Sequence, residues 1–353
     1  MFLRSSWYVA GWSHHFKPGG LVARTILGER LVLYRTSGGA VTALEDRCCH
    51  RLAPLSRGRL EGDDLRCMYH GIKFSGDGRC LEIPAQDQIP PGLKVRSYPV
   101  VERDRWVWVW MGEAAKADTS LIPSALNHDD PDYHMRTGEM AYEANYQLVH
   151  DNLLDLTHLA FVHENTLGAT GDKLWGTVRP IVSPIERGVR VSRWFRGRKP
   201  PRYVDRAPEP CDAWNTFDFV VPGVFLLRSA GYPLGTADAF PDGPVDSSAP
   251  EWTVLSSQAV TPCTERKTLY YYSACQHASH ADDSFMATQL ALFQTAFAED
   301  KSMIEAQQGV IDESPGRSLT TLQFDRSITH FRRLMAKLMR DEQLTPVSTE
   351  AAN

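Results

Sequence analysis

The feature that most limits what this chain can become is a repeated pairing of cysteine with histidine. Cys48-Cys49-His50 and Cys67-Met68-Tyr69-His70 each bring one thiol and one imidazole close together, with sixteen residues between the pairs and Pro54, Gly58, Gly62 and Gly71 marking turns around them. Two cysteines and two histidines suit a tetrahedral zinc ion. Zinc fingers, however, usually group Cys with Cys and His with His, whereas here each loop supplies one of each. That division suits a [2Fe-2S] cluster with two thiolates on one iron and two imidazoles on the other, the neutral imidazoles raising its potential.

The rest of the composition narrows the setting. A chain of 353 residues has room for about two domains of roughly 150 residues each. Hydrophobic residues at 42 % and charged residues at 23 % describe an ordinary globular protein. With 38 basic and 43 acidic residues the net charge is -5, which argues against a nucleic-acid partner. The seven cysteines are an odd number in a long chain, no signal-like run opens it, and no stretch approaches the roughly 20 apolar residues of a membrane span. These features place the expected location in the cytoplasm, where clustered Cys and His bind metal more often than they pair as disulfides.

Up to about residue 115 short β-type runs (7–10, 31–34, 40–44, 72–74) alternate with turn signals such as 37–39 and 76–78, the pattern of a compact all-β domain. Residues 114–123 turn small and polar, a connection. Beyond it, 142–158 carries Tyr146, Val149, Leu153 and Leu156 at helical spacing; 188–195, 217–227, 252–260 and 269–274 read as strands, and 282–308 and 328–342 as helices. Residues 233–250 form a polar Pro/Gly-rich loop, a mobile flap or a plain linker.

The segment 145–163 is unusual for a helix. At about 100° per residue, Asp151, Asn152, Asp155 and His158 share one face among apolar neighbours. A polar stripe facing a core costs stability unless something binds there. His163 lies about 140° round from His158, so both can hold one metal only if the helix ends or bulges between them; Glu164, Asn165 and Gly168 are consistent with an ending. Two imidazoles and one carboxylate make the facial triad of non-haem ferrous oxygenases, and the carboxylate need not be nearby in sequence.

At this point the sequence resembles a known family. Cys48-x-His50-Arg51-x-Ala53-Pro54-Leu55-Ser56 with Cys67-x-Tyr69-His70-Gly71 is similar to the Rieske signature, and Asp155-x-x-His158 followed by His163 is similar to the iron motif of Rieske non-haem iron oxygenases. The closest branch is that typified by vanillate O-demethylase and toluenesulfonate methyl-monooxygenase. The resemblance implies an α+β protein: an all-β Rieske domain at 1–115, then a helix-grip catalytic domain at 116–353, a curved antiparallel sheet around a long helix. It implies that Cys48, His50, Cys67 and His70 hold the cluster and that His158, His163 and a distant Asp hold a mononuclear Fe(2+). Asp300 has the matching setting, with Glu299 its nearest competitor. Asp155 is expected to accept a hydrogen bond from an iron-bound imidazole and to bridge to a cluster histidine of a neighbouring subunit, which implies a homotrimer. Asn152 is expected to line the iron pocket and Asp151 to support the same network. In the second loop Met68 and Tyr69 stand where a disulfide partner for Cys49 would be needed, so Cys49 is read as structural and the cluster as the lower-potential type. Cys80 is read as a buried neighbour, His14 and His15 as a solvated pair, and Ile72, where many relatives have Trp or Leu, as a change in packing.

The implied activity is that of the oxygenase component of a multicomponent monooxygenase of aromatic catabolism, a demethylase or methyl hydroxylase acting on a substituted aromatic acid with O2 as co-substrate. Electrons are expected from NAD(P)H through a separate flavin and iron-sulfur reductase, since no dinucleotide-binding glycine motif is present. Oxidation of a non-aromatic or alicyclic substrate is one alternative. A non-catalytic Rieske electron carrier is another, although a carrier needs only the first domain and leaves 145–163 unexplained. Pocket walls are expected from 217–231, 252–260, 269–277 and the helix before Asp300; which of Arg228, Tyr271, Tyr272, Gln276 and His277 face inward stays open. With a negative net charge, an anionic substrate needs a local basic or hydrogen-bonding group in the pocket.

Overall fold

Short strands with buried faces build the first half of the chain in the computed structural model, which describes residues 1–84, 86–167, 177–199, 204, 210–245, 247–279 and 281–344. By contact the chain divides into one unit of Met1–Ser124 with Thr261–Arg266 and another of Ala125–Val260 with Lys267–Asn353. In the first unit β1 (Trp7–Trp12), β2 (Val22–Ile26), β3 (Glu29–Arg35) and β4 (Val41–Glu45) precede the first Cys-His loop, and β5 (Arg59–Glu61) and β6 (Asp64–Arg66) separate it from the second. Then follow β7 (Lys73–Phe74), β8 (Cys80–Glu82), β9 (Ser97–Tyr98), β10 (Val100–Arg103) and β11 (Trp106–Trp110). They form sheets ordered β1-β11-β10, β2-β3-β4-β9 and β5-β6-β7-β8. The Trp-Val-Trp-Val-Trp of β11 is buried on both faces: Val107 and Val109 join the core of Tyr8, Ala10, Leu31 and Leu33, while Trp106 and Trp110 pack against Trp12 and Trp7 of β1. The Cys-His loops leave β4 and β6 and share one core, where Leu55, Leu65, Phe74 and the buried Ile72 pack with Cys48 and Cys67.

The second unit is a seven-stranded sheet ordered β12-β18-β17-β16-β15-β14-β13. Its strands are β12 (Tyr133–Tyr142), β13 (Ile181–Ile185), β14 (Gly188–Arg198), β15 (Cys211–Val220), β16 (Val224–Tyr232), β17 (Trp252–Thr264) and β18 (Lys267–His277). Helix α1 (Tyr146–Leu154) follows β12, the short α2 (Thr236–Ala239) lies after β16, and α3 (Asp283–Glu313) and α4 (Arg326–Leu344) end the described chain. Asp282 caps α3 by accepting from Phe285 N–H, and α3 packs on β12 and β18. A stripe of Ser327, Phe331 and Met335 at four-residue spacing buries α4 against α1 and β14.

Three expectations need correction. The run 217–227 is two strands joined at 221–223, where a cis Val221–Pro222 bond and Gly223 turn the chain; apolar residues on both sides hid the hairpin. Tyr142 ends β12 rather than opening the helix, and β12 itself, Tyr-His-Met-Arg-Thr-Gly-Glu-Met-Ala-Tyr, is mostly half-buried and shows no clear alternation to read. The loop 233–250 is pinned, because the Asp212 carboxylate of β15 accepts from the N–H groups of Gly235 and Ala237. Position 246 of that loop lies outside the described residues, as does Gly168.

Candidate metal centres and active-site pocket

The two Cys-His loops have the same backbone. Cys48 N–H donates to Ala53 O and Leu52 N–H to Cys48 O, at 2.8 and 2.9 Å; Cys67 N–H donates to Ile72 O and Gly71 N–H to Cys67 O at the same distances. Each loop turns at its fifth residue through a left-handed conformation, φ 58° at Leu52 and 77° at Gly71. Gly71 has a second reason to be glycine, since a Cβ there would lie 2.7 Å from Pro84 Cγ. Behind the first loop the buried Asp46 carboxylate accepts from both the N–H and the hydroxyl of Ser56, at 2.6 and 2.8 Å.

This shared geometry buries both thiols and exposes both imidazoles. Cys48 and Cys67 are 2 % exposed, and burial, with Cys67 alongside, pushes the Cys48 thiol up to about 12. The exposed rings of His50 and His70 stand 4.6 Å apart between centroids. Two sulfurs on the buried side and two nitrogens on the open side are the donor set of a [2Fe-2S] cluster. Cys49 and Cys80 are free thiols packed in the same core. His14 is exposed and half-buried His15 stacks edge-on against it.

In the second unit α1 stops at Asp155, whose backbone is extended (φ -127°, ψ 105°), and a 3-10 turn Leu156–Ala160 carries His158. The single polar helix face expected over 151–158 is therefore broken one turn early. The cause is local: the Asp155 carboxylate accepts from Thr157 N–H at 2.9 Å and from its hydroxyl at 2.7 Å, capping the next turn. After that break His158, His163 and Asp300 converge, with one ligand atom from each lying within 4.8 Å of the others. Asp300 Oδ1 is 3.4 Å from His158 Nε2 and 3.1 Å from His163 Nε2. Two neutral nitrogens and one carboxylate oxygen in this cluster fit a facial site for ferrous iron.

The remaining polar groups hold these three in place. Asn152 Nδ2 donates to Asp300 Oδ1 at 2.9 Å and lies 3.4 Å from His158 Nε2. His158 Nδ1–H donates at 2.6 Å to the backbone carbonyl of Asp155, not to the carboxylate that the sequence suggested. His163 Nδ1–H donates to Glu299 at 2.8 Å, and the same Glu299 oxygen accepts from the Thr166 hydroxyl at 2.7 Å. Glu299, read from sequence as the competitor of Asp300, thus lies behind the histidine; a carboxylate next to Asp300 was its only sequence signal. Burial lowers the His158 pKa against the Asp300 charge, while at His163 the same burial is outweighed by Asp300 and Glu299 and the pKa rises. Asp151 does not join this network; it pairs with Arg332 of α4.

The triad lines a pocket whose walls are apolar: Leu153, Leu156 and Leu159 near the triad, Phe225 and Leu227 of β16, Val254 of β17, and Phe293 and Phe297 of α3. Asn152, Asn215, Ser256 and Gln258 are its other polar lining residues, and no lysine or arginine lines it among the described residues. Strand β18 contributes no lining residue, so Tyr271, Tyr272, Gln276 and His277 lie off the pocket; Arg228 lies off it too, 3.9 Å from Asp218.

Comparison with known proteins bears on the same two regions. Residues 6–99 match the Rieske [2Fe-2S] domain, and residues 142–341, more than half of the chain, match the vanillate O-demethylase oxygenase C-terminal domain. The chain belongs to the Rieske non-haem iron monooxygenases. Among its relatives, the toluene-4-sulfonate monooxygenase system iron-sulfur subunit of Comamonas testosteroni is 37% identical over 97% of this chain and 98% of its own. The vanillate O-demethylase oxygenase subunit of a Pseudomonas species (strain ATCC 19151) is 31% identical over 90% of this chain and 96% of its own. A crystal structure of dicamba monooxygenase bound to dicamba superposes with a TM-score of 0.85 at 32% identity, covering 97% of this chain and 99% of that one. This Rieske monooxygenase chain is accordingly an oxygenase component with a [2Fe-2S] cluster and a mononuclear iron, using O2 and electrons from a separate reductase. The zinc reading and the bare electron carrier both fall away. No helix among the described residues is long and apolar enough to cross a membrane.

Proposed function

We propose that this oxygenase inserts oxygen at a methyl or methoxy carbon of a substituted aromatic acid, in the cytoplasm. The observation that carries the reading is the His158, His163 and Asp300 triad set in an apolar pocket walled by Phe293 and Phe297 of one helix. Relatives named for toluene-4-sulfonate and vanillate point to the same substrate class. Cys48, His50, Cys67 and His70 would hold the cluster in a Rieske domain of residues 1–115, and the triad would hold iron in a catalytic domain of residues 116–353. When bound, the cluster supplies single electrons and the ferrous iron supplies dioxygen chemistry beside the substrate.

The chain's own residues do the positioning. Asn152 fixes Asp300 and Glu299 fixes His163, so that the open side of the triad faces the pocket. The leucine and phenylalanine walls exclude water and accept a flat ring. Hydroxylation of a methoxy carbon gives a hemiacetal that expels formaldehyde and leaves a phenol, whereas hydroxylation of an aryl methyl gives a benzylic alcohol. Asp155 joins the two centres across a subunit boundary in a homotrimer, its carbonyl on His158 and its carboxylate on Thr157. Exposed apolar groups at both ends support such docking: Leu52, Met68 and Tyr69 beside the cluster histidines, and Phe324 with Thr157 in a groove of about 350 Å³. The reductase that serves the trimer is of the flavin and iron-sulfur type.

The test is product analysis with 4-toluenesulfonate and 4-methoxybenzoate under 18O2. Labelled benzylic alcohol, or formaldehyde with a phenol, is the expected outcome. A cis-dihydrodiol, or no oxygenated product from either acid, overturns the reading. In Asp155→Asn both metals should remain while oxidation of the reduced cluster in a single turnover becomes very slow; normal turnover removes the bridging role.

A further inference from the structure

We propose that Asn215 and Arg193 together recognise the acidic substituent of the substrate, Asn215 by touching it and Arg193 by placing a positive charge behind it. The inference rests on the aromatic-acid reading above and adds the residues that select the acid.

Asn152, Ser256 and Gln258 of the pocket are already engaged. Asn152 is committed to Asp300. Ser256 donates to Ser273 O and accepts from Gln258 Nε2, and Gln258 Oε1 accepts from the Tyr270 hydroxyl. Asn215 is different: it is 3 % exposed, and its Oδ1 is buried with no hydrogen-bond partner. A buried amide left unpaired costs stability unless a ligand pairs with it. Because an amide turned end for end occupies the same space, its N–H2 can face the pocket and donate to an acid oxygen.

Asn215 of β15 stands directly opposite Arg193 of β14 and Ser229 of β16, and Ser229 stands opposite Val254, itself a lining residue. Directly opposed residues of antiparallel strands share a face, with Cβ atoms about 5 Å apart. Arg193 therefore lies on the pocket face of the sheet, one strand beyond the lining, and is 2 % exposed. Burial pulls its pKa down to about 10, with the Asp155 charge opposing the shift. A cation that loses solvation in this way gains from a second anion close by, and in a dry pocket the attraction is weakly screened. This is the local basic group that an acid requires, held where bulk water cannot compete for it.

The experiment measures binding rather than turnover. Calorimetric titration of the oxidised holoenzyme with 4-methylbenzoate, its uncharged near-isostere 4-methylbenzamide, and toluene compares charge, hydrogen bonding and ring alone. The acid should bind at least about tenfold more tightly than the amide, the equivalent of one charge-assisted hydrogen bond. Asn215→Leu should weaken the acid by about tenfold or more without weakening toluene. Arg193→Met should erase the preference for acid over amide, and Arg193→Lys should keep most of it; the cluster absorbance shows whether each variant is folded. If Arg193→Met does not fold, Asn215→Leu and Arg193→Lys decide. Equal binding of acid and amide by the wild type, unchanged acid affinity in Asn215→Leu, or an unchanged preference in a folded Arg193→Met, overturns the proposal. If acid binding depends on Asn215 but neither acid used above is oxygenated, the anchor stands and the reaction reading fails. If none of the three ligands binds, the aromatic reading fails and the anchor with it.

Discussion

The cluster loops and the iron site solve the same problem, holding a metal by side chains, in opposite ways. The proposed cluster ligands are confined to 48–70, on two turns with identical backbone hydrogen bonds, and half of them are exposed. The proposed iron ligands come from a 3-10 turn, the turn after it and a helix far along the chain, and His163 and Asp300 are nearly fully buried. One site is made by local turns, whose shape the sequence specifies within a few residues. The other is made by packing α3 on the sheet and α1 beside it, so its shape depends on long-range contacts. Loss of a ligand should therefore empty its own site in either region, while the hydrogen-bonded neighbours keep the surrounding chain folded and the other region intact.

The largest expected effect sharpens that contrast. Cys67→Ser should abolish the visible and EPR signals of the cluster together with turnover. His163→Ala should also abolish turnover, with iron content near zero, yet keep the cluster signals unchanged. Cluster loss in His163→Ala would break the comparison, since the two regions would then depend on each other; an intact cluster spectrum in Cys67→Ser would remove the ligand assignment.

A smaller effect separates ligand from support within the iron site. Asp300→Asn should leave the site without iron, whereas Glu299→Gln keeps a hydrogen bond to His163 Nδ1 and should lower iron affinity or activity by about 10–100-fold. Iron analysis of the purified variants with steady-state rates checks both. An empty site in Glu299→Gln with a filled one in Asp300→Asn would exchange the two roles.

The same contrast explains what the sequence made legible. Cys48, His50, Cys67 and His70 were readable because glycine and proline turns and ligand spacing lie in one short window. His158 and His163 were readable as a pair, but the break at Asp155 was not, because its cause is a carboxylate folding onto Thr157, a choice that helical periodicity does not record. The outer role of Glu299 appears only once α3 packs beside His163. Strands β12 and β13 escaped notice because their residues are mostly half-buried or exposed and lack the alternation that marks a strand. Arg193 and Asn215 became neighbours only through strand register, which no single segment carries.

The smallest expected effect concerns the side of α1 turned toward α4, where Asp151 pairs with Arg332 outside the triad's network. His150 is enclosed by Tyr146, Phe219 and Phe331, and burial, helped by the Arg332 charge, pulls its pKa down to about 3. Asp151 is pushed up to about 6 by burial, with Arg332 opposing the shift and Asp325 adding to it. The unfolded chain protonates His150 below about pH 6.5 while the folded chain does not, so that residue costs stability as pH falls from 6.5 toward 3. Asp151 acts with the opposite sign: the folded chain carries its proton below about pH 6, the unfolded chain only below about 4, so stability is gained as pH falls through that window. Each slope is about 1.4 kcal/mol per pH unit, and the two should nearly cancel between about pH 6 and 4. Asp151→Asn removes one side of the balance, so its stability relative to wild type should drop by about 1.4 kcal/mol per unit below pH 6, measured by urea denaturation across that range. Parallel pH profiles for the two proteins would mean that Arg332 keeps Asp151 ionised throughout, and that this side of α1 holds a charged pair as the iron side holds a metal.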